Sequence, residues 1–264
     1  MKKILTFVFL MSLLISSLSY CNFKEQTDIA VNLKKSTLVV VGMFEDGTYS
    51  VGTGFFIGDK NDGVFVTAFH VVAGAIKVAV DYGIDPDVTY DFNNPVRPTK
   101  VYPLETKKQY YWIDKKNDII IFKVPNQLKI YPKYSLDINK SMPSVGSTVY
   151  TMGHTDALFF FQYAKGEVTG LYEGYFSTNF PNVSNGNSGG AVVDDNCEVR
   201  GMLVLKYLGT SAIQLNVSSE KIYTVYEDVK SGYGIAEATE SLVNLRSEDE
   251  YHKYILPGLD NFFK

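Results

Sequence analysis

Residues Asn182–Asp195 read NVSNGNSGGAVVDD, with three glycines around Ser188, two valines directly after them and two acids at the end. A segment of this kind is a solvated turn, a glycosylation sequon at Asn182-Val183-Ser184, or a loop that presents a serine nucleophile. A turn needs no partner elsewhere in the chain. A nucleophile needs a base and a group that orients the base. The triplets at Asn139, Asn182 and Asn216 fit the sequon, but such short patterns recur by chance and are discounted.

The chain has 264 residues, is 45% hydrophobic and 20% charged, and is therefore long enough for one all-β unit with a sizeable core. Its aromatic residues, mostly 19 Tyr and 17 Phe, favour strands. Lys2 and Lys3 precede an uncharged apolar run from Ile4 to Leu18, followed by small residues. This is the pattern of a secretory signal over residues 1–21, and the run is shorter than the roughly 20 residues of a spanning helix. Without that segment 23 Lys+Arg stand against 29 Asp+Glu, a net charge of about −6. So acidic a protein is a poor partner for nucleic acid or anionic lipid.

Leu18-Ser19-Tyr20-Cys21 resembles a lipoprotein cleavage box, with bulky Tyr20 where a small residue is usual. A lipid on Cys21 would be the chain's only membrane attachment, and cleavage after Ser19 is the plainer alternative. The protein is thus expected to be exported, as a periplasmic, secreted or lipid-anchored form. The only other cysteine is Cys197, so no disulfide framework is expected.

Short strands alternate with turn signals. TLVVVGMF (Thr37–Phe44) meets Asp46-Gly47, a hairpin signal, and YSVGTGFFIG follows. GVFVTAFHVV (Gly63–Val72), IKVAVDY (Ile76–Tyr82), DIIIFKV (Asp118–Val124), STVYTMG (Ser147–Gly153) and EVRGMLVLKY (Glu198–Tyr207) continue the pattern. Residues Gly83–Asn117, rich in Pro, Asn and Tyr, read as loops with uncertain strands. The one long amphipathic helix pattern is Ala236–Leu245. Such a series predicts an all-β barrel or sandwich.

Gly186-Asn187-Ser188-Gly189-Gly190 fits both the G-x-S-x-G elbow of α/β-hydrolases and the G-[DN]-S-G-G loop of trypsin-like proteases. The elbow requires a helix directly after the serine. Ala191-Val192-Val193 is β-prone and Asp194-Asp195-Asn196 is a turn, so the elbow is set aside. The other loop requires a histidine and then an aspartate upstream. Of the three histidines, His70 ends an apolar strand, where a neutral imidazole could take a serine proton. Asp118 opens DIIIFKV, where a carboxylate could accept the second imidazole N–H; Asp114 is a weaker candidate. Alone, His70 would be a core histidine and Asp118 a turn residue. In this order they form a triad pattern with Ser188.

GTGFFI, VTAFHVV, DIIIFKV, GHTDALFFFQYAKGEVTG and NGNSGGAVVDDNCEVRG together resemble the successive landmarks of trypsin-like serine proteases, closest to the bacterial HtrA/Deg branch. GYGIAEATESLVNL resembles that branch's final strand and helix, so the likeness spans roughly Leu38 to Leu245. The resemblance implies two six-stranded antiparallel β-barrels and a short C-terminal helix, with the protease domain over residues 30–246 and a tail over 247–264. It implies His70 as general base, Asp118 as orienting acid, Ser188 as nucleophile, and the Gly186 and Ser188 amides as oxyanion hole. It places Asn182 and Val183 at the base of the primary pocket and Lys206 near its entrance, where a cation would favour acidic side chains. The substrate class implied is protein or peptide. The usual PDZ domains are not matched by residues 246–264. A non-catalytic relative, using the barrels as a binding or adhesion module, is the competing reading. No cysteine or histidine cluster has metal-ligand spacing and no glycine loop has phosphate-binding context, so no metal or cofactor is expected.

Mass spectrometry of the mature N-terminus tests the leader reading. Acylated Cys21 is the expected product of lipoprotein processing, and a free Tyr20 start that of plain secretion.

Overall fold

The computed structural model describes residues 28–58, 63–81, 101–104, 111–123, 135–156, 159–208 and 211–231. A helix over residues 28–36 (α1) leads into β1 (Thr37–Met43), whose seven residues are almost wholly buried. The chain then reverses as predicted. Gly47 takes φ 78°, and the Asp46 carboxylate accepts from the Thr48 amide at 3.0 Å and its hydroxyl at 2.6 Å. This pins the register of β2 (Tyr49–Ile57), in which Met43 faces Tyr49 and Thr37 faces Phe55.

The protein is all-β, built from two antiparallel barrel-like sheets and a short helix after the last strand. The first sheet adds β3 (Val64–Ala68), β4 (Lys77–Asp81), β5 (Val101–Leu104), β6 (Tyr111–Asp114) and β7 (Ile119–Lys123), in the order β5-β4-β1-β2-β3-β7-β6. It counts seven strands because Val101–Leu104, inside the stretch read as loop, pairs with the free edge of β4. The second comprises β8 (Thr148–Thr155), β9 (Phe159–Tyr172), β10 (Tyr175–Thr178), β11 (Ala191–Val193), β12 (Val199–Leu208) and β13 (Ser211–Ser218). It closes as β10-β13-β12-β11-β8-β9. Closure leaves this barrel without an open strand edge.

Strand alternation divides the apolar residues of this barrel between two jobs. Val149, Val168, Phe176, Val192 and Leu203 cluster with one another. Their chain neighbours Tyr150, Ala191, Val193, Met202 and Val204 join the large cluster shared with the first sheet. The sheets are further stitched by residues 135–139. The Leu136 amide donates to Phe56 O at 2.9 Å, and the Val199 amide donates to Asp137 O at 2.7 Å.

Two further elements differ from the sequence expectation. The strand read through Val72 ends at Ala68, and Phe69–Val72 form one helical turn (α2). The Phe69 amide donates at 3.0 Å to the carbonyl of Asp118, the residue opposite it in the β3–β7 register, and the ladder ends with that bond. After β13 comes an unexpected helix, α3 (Ser219–Ser231), with Ile222, Val225 and Tyr226 buried at helical spacing. The predicted helix at Ala236–Leu245, residues 1–21 and the tail at 247–264 lie outside the described residues. Among the described residues no helix is long and apolar enough to cross a membrane.

His154, on β8, joins the two sheets and is completely buried. Its Nε2–H donates to Leu38 O on β1 at 2.9 Å, and its Nδ1 accepts the Phe161 amide at 3.1 Å. That pair of bonds requires the neutral tautomer protonated on Nε2. Burial pushes its pKa down from 6.5 to about 3, with the nearby Lys34 charge acting in the same direction against the Leu38 bond. The unfolded chain therefore binds a proton that the folded chain refuses between these two values. This contribution to stability is complete above pH 6.5 and is lost as pH falls toward 3. Urea titrations should show the midpoint falling from pH 7 to pH 4, and His154→Gln should show a shallower fall.

Candidate active site

Asp118 adopts φ 58°, the left-handed region that aspartate tolerates better than most residues. The turn before it is built locally. The Asp114 carboxylate accepts the Asn117 amide at 3.0 Å and its side-chain Nδ2 at 2.5 Å, an arrangement typical of Asx-type turns. This commits Asp114 to the turn and leaves the approach to His70 to Asp118. The Asp118 Oδ1 accepts the His70 backbone amide at 2.8 Å, and Oδ2 lies 2.6 Å from His70 Nδ1. The pair is mostly shielded, with side-chain exposures of 10% for His70 and 17% for Asp118. A carboxylate at that distance accepts the Nδ1 proton, so the tautomer it selects leaves Nε2 as a proton acceptor.

Ser188 reaches the same region through its backbone. The loop after Asn182 is compact and buried from Gly186 to Gly190. Thr53, on β2, grips it twice: its amide donates to Ser188 O at 2.8 Å and its hydroxyl to Gly186 O at 2.8 Å. Behind the serine, the Gly189 amide donates to Leu203 O and the Leu203 amide to Gly190 O, both at 2.8 Å. Gly189 has φ 88°, and a Cβ there would lie 2.1 Å from Thr53 O and 2.4 Å from Thr67 Oγ1. Only glycine fits. Gly52 reports the proximity of the two halves, because a Cβ there would meet Val71, beside His70, at 2.6 Å and Ser188 O at 3.1 Å.

The loop's outer half is anchored to the β8–β9 hairpin. Thr155 Oγ1 donates to Asn182 O at 3.1 Å and accepts from Asn187 Nδ2 at 3.0 Å. The Asp156 amide donates to Asn185 O at 2.6 Å, and Ser184 Oγ donates to the Asp156 carboxylate at 2.5 Å. Asn187 Nδ2 also donates to Ser184 O at 3.1 Å. Among the described residues the Asn187, Gly189 and Gly190 amides all have backbone acceptors, whereas those of Gly186 and Ser188 have none.

The structure thus pairs His70 with Asp118, and seats the Gly186–Ser188 loop against Thr53 and Gly52 of β2. Asn182 stands apart, exposed at φ 57°, and Val183 packs against the second barrel's inner cluster. Lys206 lies on β12 opposite Ile213, and its side chain is outside the described residues. Among the described residues no group of His, Cys, Asp or Glu could hold a metal ion. Sequence reading missed Thr53, Thr155 and Asn187 as supports. Thr53 lies inside the quoted GTGFFI and Asn187 inside NGNSGG, but neither pattern says which carbonyl or hydroxyl each will meet.

The sequence profile of the trypsin-like peptidase domain matches residues 52–202. Among solved structures, the chain is similar to a serine endoprotease from Yersinia pestis, with 18% identity and a TM-score of 0.59 over 78% of this chain and 67% of that one. It is similar to the active form of the Rv3671c protease from M. tuberculosis, with 18% identity and a TM-score of 0.56 over 75% and 82% of the respective chains. It is also similar to Deg5, with 16% identity and a TM-score of 0.60 over 81% and 97%. Comparison with curated proteins finds no match.

Thr53→Val keeps the shape of the side chain but leaves Gly186 O without its hydroxyl partner. A lost buried hydrogen bond of this kind is worth about 1–3 kcal/mol. The expected result is a folded protein whose Ser188 reacts with a fluorophosphonate about tenfold or more slowly, read as a labelling time course.

Proposed function

The chain belongs to the trypsin-like peptidase family and is a serine endopeptidase; from that premise we propose that Ser188, His70 and Asp118 are its catalytic triad. The observation that carries this assignment is the two-point grip of the Asp118 carboxylate on His70, at Nδ1 and at the backbone amide. With the Nδ1 proton held by Asp118, the Nε2 lone pair is the only basic position of the ring. A serine hydroxyl is a weak nucleophile at its ordinary pKa and needs such a base.

The reaction then proceeds in balanced steps. Ser188 Oγ attacks the peptide carbonyl carbon while its proton passes to His70 Nε2. The carbonyl oxygen acquires negative charge, and the Gly186 and Ser188 amides are its donors, each worth roughly 3 kcal/mol in sites of this type. Collapse expels the amine, which takes the proton from His70, and leaves an acyl-enzyme on Ser188. Water, deprotonated by the same imidazole, releases the acid. The supports described above matter because the oxyanion donors stabilise the transition state only if they are already in place.

We place this chemistry outside the cytoplasm, on the strength of the leader at residues 1–21, with protein or peptide as substrate. Lys206, if it faces the pocket entrance, would favour acidic residues before the scissile bond, which a peptide-library cleavage profile would reveal.

A fluorophosphonate probe tests the assignment. It should label the mature protein and fail to label Ser188→Ala. No labelling of a folded preparation would instead identify a binding module that has kept the protease fold. Asp118→Asn should stay folded and lose on the order of 10⁴ in turnover, because the amide favours the wrong imidazole tautomer. Near-normal turnover would transfer the orienting role to Asp114.

A further inference from the structure

The turn that presents Asp118 belongs to the first sheet, but a side chain of the second barrel holds it. Tyr175, at the start of β10, directs its hydroxyl to the Lys116 carbonyl at 3.3 Å and the Asn117 side-chain oxygen at 3.2 Å. Asn117 is buried, and its amide and side-chain nitrogen are held by Asp114. One residue later the chain enters the left-handed conformation from which Asp118 reaches His70. Tyr175 therefore touches the residue that precedes Asp118 and belongs to the turn presenting it.

Position on the strand explains why the phenol reaches so far. Tyr175 pairs with Val217 on one side and Tyr172 on the other, so its backbone is fixed by the closed barrel. Its ring packs against the cluster shared by both sheets. Burial raises the pKa of the phenol, and the charges of Asp114 and Asp118 raise it further. The hydroxyl thus stays protonated, as a donor, beside both carboxylates. Lys115 and Lys116 are exposed on the same turn, and the two acids and the phenol complete its charged and titratable groups.

We propose that Tyr175 is a positioning residue for the proposed catalytic dyad, through which the second barrel sets the orientation of the Asp118 carboxylate toward His70. The inference rests on the assignment of His70, Asp118 and Ser188 as reacting groups. Its physical content is that one contact from the second barrel narrows the orientation of a dyad whose other bonds lie within the first sheet. A carboxylate on a turn anchored within one sheet alone could rotate about the 115–118 segment. The phenol removes that freedom.

The test is Tyr175→Phe, which keeps the ring and deletes the donor. The kcat should fall about tenfold, as for one lost hydrogen bond, with KM within about twofold. The acid limb of the kcat/KM profile should move to lower pH, because an imidazolium loses stabilisation when its carboxylate drifts. The downfield proton resonance of His70 Nδ1–H should broaden and move upfield. Asn117→Ala, which deletes the phenol's side-chain acceptor, should do the same and serves if Tyr175→Phe fails to fold. Tyr172→Phe, exposed on the same hairpin, should change none of these readouts. A folded Tyr175→Phe that loses only stability, with kcat, acid limb and resonance unchanged, would overturn the proposal and reduce Tyr175 to a packing contact. The resonance needs no catalysis. If the unmodified protein proves inactive, the triad reading fails, while the resonance still decides whether Tyr175 orients Asp118.

Discussion

The site depends on one residue bent into an uncommon conformation. Asp118 at φ 58° uses its carbonyl and both carboxylate oxygens on two consecutive residues, Phe69 and His70. The carbonyl accepts the Phe69 amide as the last bond in the β3–β7 register, beyond which a helical turn begins. One carboxylate oxygen then fixes the position of His70 and the other its tautomer. A left-handed residue other than glycine costs roughly 1–2 kcal/mol, and the three bonds more than offset it. The Asx-type turn from Asp114 to Asn117 makes that conformation reproducible, and Tyr175 ties the turn to the other barrel.

The serine loop solves a related problem by different means. It has little apolar surface with which to anchor itself, so its carbonyls and amides are held one by one. Thr53 holds the inner half through Gly186 and Ser188, and Thr155 and Asp156 hold the outer half through Asn182, Asn185 and Asn187. These supports come from both sheets. His154 links the same hairpin to β1 through a neutral imidazole, so acid that strains this link also strains the loop beyond it. Stability and site geometry thus share contacts at the interface.

Much of this was legible in the residues. The strands of GTGFFI, DIIIFKV and STVYTMG were visible as short apolar runs bounded by turn residues, and they are buried at consecutive positions. The helix at Ser219–Ser231 also left a signal, in Ile222, Val225, Tyr226 and Val229 at helical spacing. Val101–Leu104 left almost none, since a proline-containing edge strand is defined by the neighbour that accepts it. His70 was read at the end of a strand because Phe69 and Val71 are as apolar as β3. β3 gives way to the helical turn where the His70 amide meets the Asp118 carboxylate, 48 residues further on.

The sequence by itself determined the all-β class, the hairpin at Asp46-Gly47, and the order of His70, Asp118 and Ser188, because these follow from local periodicity, turn chemistry and residue type. Tertiary structure alone decided that Asp118 also holds the His70 amide, that Thr53 braces the serine loop, and that Tyr175 reaches Asn117. Each of these depends on a hydrogen bond between elements far apart in the chain. A donor's type is written in the sequence, but the acceptor it finds is set by how the two sheets dock.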